Sequence, residues 1–110
     1  MRSYRDLPAL RDALETAWSA ETSTRWTKDV PALGQCSVTA LVVNDVFGGD
    51  ILKTRTPQGV HFYNRVGARR FDLTASQFDE PVSYDDLPAS RAEAMADTSP
   101  AQYQALRSRL

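Results

Sequence analysis

Three side-chain types in this chain could together open an amide or a thioester: a thiol, an imidazole and a carboxylate. The first two occur once each, as Cys36 and His61. Cys36 follows Gly34-Gln35 and precedes a segment in which Val38, Leu41, Val42, Val46 and Phe47 fall on one helical face. This placement predicts a cysteine before or within the first turn of a buried helix. A helix N-terminus carries about half a positive charge and unpaired N–H groups. Both favour a thiolate, and the same N–H groups can stabilise an oxyanion. A cysteine nucleophile needs a base, and the base needs an orienting group. His61 lies on a predicted strand and Asp72 on the next, so these two are expected to serve in those roles.

The hairpin between them tests the pairing. With a Val66-Gly67 loop, Asp72 falls directly opposite His61. With a Gly67-Ala68 loop, Asp72 opposes Tyr63, and His61 is its diagonal neighbour on the same face. Either register brings the carboxylate to the imidazole, whereas a regular three-residue loop would place His61 opposite Leu73 and break the pairing. The opposite face holds Val60, Phe62, Phe71 and Leu73 and needs cover, for which the first and last helices are candidates.

The elements that must position these residues follow from local pattern. Leu7, Leu10, Leu14 and Trp18 form one apolar stripe and predict a helix from about Leu7 to Ala20. The buried helix stops at Gly48-Gly49. Strands are expected over Asp50–Arg55, Val60–Val66 and Arg69–Thr74, with a turn at Pro57-Gln58-Gly59. Ser90 and Ser99 each stand three residues before Glu93 and Gln102, the spacing of capping boxes opening two C-terminal helices. Gln77-Phe78 is expected to cap the sheet. Arg69-Arg70 reads as a solvated hairpin end, and Asp79-Glu80 and Asp85-Asp86 as exposed acidic pairs. Segregated helices and strands predict an α+β class with an antiparallel sheet.

Composition narrows the function. The length, 110 residues, suits a single domain over 1–110. One cysteine excludes an internal disulfide, and one cysteine with one histidine excludes a zinc cluster of those residue types; no metal or cofactor is expected. Thirteen basic against fourteen acidic residues leave no basic footprint for nucleic acid or anionic membrane. The N-terminus has no apolar run of signal type, and no 18-residue apolar stretch exists, so a cytoplasmic location is expected.

Several segments carry a family resemblance. Gly34-Gln35-Cys36-Ser37-Val38-Thr39-Ala40-Leu41-Val42-Val43, Phe47-Gly48-Gly49-Asp50-Ile51-Leu52, His61-Phe62-Tyr63-Asn64-Arg65 and Asp72-Leu73-Thr74 with Gln77-Phe78 together resemble the YunG-like family of small bacterial proteins. The order of Cys at a helix start, His on a strand and Asp on the next is similar to papain-like and transglutaminase-like cysteine enzymes. That layout implies a papain-like α+β fold, with Cys36 as nucleophile, His61 as general base and acid, and Asp72 as orienter. An aspartate in third place is closer to the transglutaminases. Gln35, Trp26 and Asn64 are candidates for an oxyanion donor or substrate-lining group, and Tyr63 for a residue bounding the site.

The expected function is a cysteine hydrolase or acyltransferase working through a thioester intermediate, on an amide, such as a peptide or protein amide, or on a thioester. Peptidase, deamidase, amidase and transglutaminase chemistry share this first half-reaction. The alternative is a non-catalytic binding or regulatory protein of the same fold, in which Cys36, His61 and Asp72 form a structural polar cluster. A buried Cys36 sulfur with no cleft beside His61 would favour that alternative.

Overall fold

A computed structural model describes residues 4–110. Helix α1 spans Leu7–Ala17. The Asp6 side chain caps it by accepting from the Ala9 N–H, and Pro8 sits in the first turn, where no N–H is needed. Leu10 and Leu14 point its apolar stripe into the core. The helix ends three residues before the expected Ala20. Ser19 and Thr22 offer the chain a competing local bond, since the Thr22 hydroxyl accepts from the Ser19 N–H.

Helix α2, Cys36–Phe47, is the centre of the molecule. Every residue from Cys36 to Val43 is buried, which fits its nearly all-round apolar sequence. Its one leucine, the fully buried Leu41, contributes about 1.5–3 kcal/mol through removal from water. The helix stops at Gly48, whose positive φ of 72° continues the chain out of the helix.

Four antiparallel strands follow: β1 Asp50–Thr56, β2 Gly59–Val66, β3 Arg69–Phe71 and β4 Leu87–Ala89, in spatial order β3-β2-β1-β4. Strand β4 had no strand signal of its own. It is three residues long and contains Pro88, which a sheet accepts only at an edge. Strand β3 stops at Phe71, short of the expected Thr74, because the Asp72 carboxylate accepts from the Thr74 N–H and bends the chain away. Helices α3, Arg91–Ala96, and α4, Pro100–Ser108, start at Ser90 and Ser99. The Ser90–Glu93 capping box is complete. At Ser99 only the forward bond forms, and Gln102 Oε1 accepts from the Thr98 hydroxyl instead.

The two sheet faces are covered differently. Ile51 and Phe62 join the main core, and Asn64 on the same face donates to the Ala40 carbonyl of α2. The cover on this face is therefore α2 itself, with α3 and α4 packed against α2. The first and last helices do not supply it directly, as the sequence had suggested. The other face carries Leu52, Thr54, His61 and Tyr63, and the segment after β3 lies over it: Thr54 donates to the Ser83 carbonyl, and Tyr84 packs edge-on against Tyr63. No helix among the described residues is long and apolar enough to cross a membrane.

Candidate active site

Strands β2 and β3 pair Asn64 with Phe71, Arg65 with Arg70 and Val66 with Arg69. The loop is thus Gly67-Ala68, the register that makes His61 a diagonal neighbour of Asp72. The contact forms: His61 Nε2 lies 2.7 Å from Asp72 Oδ2. Asp72 is held from several sides. The Tyr84 hydroxyl donates to Oδ2 at 2.7 Å, and the Thr74 N–H and hydroxyl approach Oδ1 at 3.2 and 3.4 Å. The carboxylate is fixed before it meets the imidazole, with its side chain 5% exposed.

Because Nε2 is engaged by Asp72, Nδ1 is the nitrogen left for chemistry. Among the described residues it is buried with no hydrogen-bond partner. The Cys36 thiol lies near enough to favour the charged ring, without meeting Nδ1 in hydrogen-bond geometry. Burial pulls the imidazole toward its neutral form. The Asp72 hydrogen bond, the Cys36 thiol and the Asp72 charge outweigh that, and together they push its pKa up to about 9. His61 is therefore an imidazolium at neutral pH.

Cys36 opens α2 and is 8% exposed. The first backbone bond into the helix runs from the Thr39 N–H to the Gln35 carbonyl, and no side chain caps the turn. The N–H groups of Cys36, Ser37 and Val38 belong to that uncapped turn. The loop before it is tightly specified. Gly34 has φ +74°, and a Cβ there would lie 2.4 Å from Ser23 Oγ. Its N–H donates to Gln77 Oε1 at 3.3 Å, while Gln77 Nε2 donates to Thr74 Oγ1 at 3.1 Å. Gln77 thereby joins the cysteine loop to the turn that holds Asp72.

The remaining candidates divide. Tyr63 stacks beside His61 on the same face, with ring centroids 5.9 Å apart. Its hydroxyl is held by Asp86, and burial followed by that bond pushes its pKa up to about 12. Gln35 is fully buried, but its amide is occupied: Oε1 accepts from Thr22 at 2.8 Å and Nε2 reaches the Ser19 carbonyl. Asn64 faces α2, away from His61. Neither amide is aimed at an oxyanion. Trp26 packs partly buried against the core, its Nε1 buried without a partner among the described residues.

Five contacts had no clear signal in the sequence. Phe78 packs edge-on over His61, with centroids 4.8 Å apart, where a sheet cap was expected. Tyr84 secures Asp72. Asp86 is not a free surface acid: it accepts from the Tyr63 hydroxyl and forms a two-pronged pair with Arg70 at 2.8 and 2.5 Å. Arg70, expected to be solvated, also lies over the Tyr84 ring at 4.5 Å. The Asp-x-Thr spacing of Asp72 and Thr74 was a legible sign of the local turn. Contacts between residues far apart in sequence, such as Gly34–Gln77, left none.

No solved structure matches this chain. A relative described as the uncharacterized protein YunG of Bacillus subtilis strain 168 is 48% identical over 94 residues, covering 86% of this chain and 82% of the relative. The family model described as YunG protein matches residues 6–110. With the family's extent and this identity together, the chain belongs to the YunG family.

Proposed function

We propose that this protein is a cysteine acyl-transfer enzyme, hydrolase or acyltransferase, with a papain-like arrangement closest to the transglutaminase variant. The observation that carries the reading is the ring of His61. One nitrogen is locked on a fixed carboxylate at 2.7 Å, and the other is buried on a ring that the nearby Cys36 thiol, at an uncapped helix start, also helps to charge.

In this mechanism the Cys36 thiolate attacks the carbonyl carbon of an amide or thioester. The N–H groups of the first turn of α2 stabilise the oxyanion. His61 transfers its Nδ1 proton to the leaving nitrogen or sulfur, the carbon–leaving-group bond breaks, and a Cys36 thioester remains. Water or an acceptor amine then loses a proton to Nδ1 as it attacks the thioester, the carbon–sulfur bond breaks, and the acyl product leaves with the Cys36 thiolate and the imidazolium restored. Asp72 keeps Nε2 protonated and the ring oriented.

The burial of Cys36 favours the second reading, a non-catalytic protein using the trio as a polar anchor. The rate of Cys36 alkylation by iodoacetamide against pH decides between them. An activated thiolate reacts well below pH 8 and loses that reactivity in His61→Asn. A profile rising only near 8.5, the ordinary thiol value, or no reaction in the native protein, refutes the catalytic reading.

A further inference from the structure

A buried nucleophile needs a route for its substrate. A cavity of about 540 Å³ lies beside the site, within the size range of small-molecule pockets. Two of its lining residues also touch the machinery. Phe78 lines it and covers the His61 ring. Gln77 lines it and holds the Gly34 N–H, two residues before Cys36. Leu33, on the same loop, adds an apolar wall. A slightly larger cavity of about 580 Å³ lies around Phe62 and Ala96, on the face opposite His61, and offers no comparable route. The lining of the first cavity carries charges of both signs: Arg25 and Arg55, and Asp79 and Glu80, all exposed.

We infer that this cavity is the substrate-binding site, that Phe78 is the gate between it and His61, and that its occupant is a small amide or thioester bearing both a cationic and an anionic group, as an amino-acid derivative or short peptide does. This assignment rests on the acyl-transfer reading. Apolar side chains surround the acyl portion, the guanidiniums take a carboxylate and the carboxylates take an amine. The Phe78 ring must turn off His61 before a carbonyl can approach Cys36.

The test compares Cys36 alkylation by iodoacetamide, the anionic iodoacetate and the bulkier N-ethylmaleimide. An aromatic edge contact is worth about 0.5–1.5 kcal/mol, so Phe78→Ala should raise the N-ethylmaleimide rate by up to about tenfold, and iodoacetamide less. Gln58→Trp, on the exposed β1–β2 turn at the cavity wall, should slow all three reagents without touching the trio. Arg25→Gln with Arg55→Gln should lower the iodoacetate-to-iodoacetamide ratio by about twofold to fivefold, the strength of an exposed charge pair. If the parent protein keeps an activated pH profile while Phe78→Ala and Gln58→Trp leave all rates unchanged, the cavity assignment is overturned and the acyl-transfer reading stands. An unchanged reagent ratio in the double arginine variant overturns the charged-substrate assignment. An ordinary thiol profile in the parent protein overturns the reading beneath both.

Discussion

His61 is the only histidine in the chain, so its ring gives a single imidazole resonance. That makes Asp72→Asn the most direct perturbation of the site. In the parent protein burial lowers the imidazole pKa, but the hydrogen bond and charge of Asp72, with the Cys36 thiol, raise it from 6.5 to about 9. The interval corresponds to about 3 kcal/mol of preference for the charged ring in the folded state. The sign follows from a folded pKa above the unfolded one: this stability is fully present below pH 6.5 and is lost as pH rises from 6.5 to about 9. Asparagine keeps one acceptor oxygen, so it can serve Tyr84 or Thr74 but not both, and it removes the charge and the strongest raising partner. Burial then dominates and the titration moves down toward or below 6.5. The assay is a proton NMR titration of the His61 Cε1–H, paired with urea unfolding at pH 6 and pH 9. The parent midpoint should lie near 9 and fall by about two pH units or more in the variant, which should lose up to about 3 kcal/mol at pH 6 and much less at pH 9. A parent midpoint at or below 6.5, or a variant midpoint still near 9, refutes the reasoning.

Two further outcomes test how the site is held. Gln77→Glu keeps the acceptor for the Gly34 N–H but cannot donate to Thr74. It should lower Cys36 alkylation less than Gln77→Ala, which loses both bonds and about 1–3 kcal/mol of stability, measured by urea unfolding. Gly34→Ala would place a Cβ 2.4 Å from Ser23 Oγ at φ +74°. It should destabilise by about 1–3 kcal/mol, seen as a lower urea midpoint; a neutral result would contradict the tight packing of the Cys36 loop.

Local chemistry alone determined much of this molecule. The apolar run after Cys36 required a helix buried on nearly all sides. The glycines at 48 and 49, the serines at 90 and 99, and Pro100 marked where helices stop and start. Alternation along β2 placed His61 with Tyr63 and away from Phe62, because successive strand side chains point to opposite faces. Two-residue loops offered two registers within reach of Asp72 and a three-residue loop one that breaks the contact; the structure selected Gly67-Ala68. These signals are legible because they act within a few residues.

The tertiary structure decided what lies across the sheet. Tyr84 holds Asp72 from 12 residues away, Gln77 reaches Gly34 across 43, and Asp86 brings Tyr63 and Arg70 together. None of these pairings has a local period. Each arises only when the segment after β3 folds back over the His61 face, leaving α2 to cover the other. The same long-range packing set Phe78 over His61, buried the Gln35 amide against Thr22 and left Nδ1 of His61 without a partner among the described residues. Sequence determined which groups could do chemistry and on which elements they sit. Their mutual orientation, burial and access depended on contacts that exist only in the folded chain, where long loops are closed by the core they help to form.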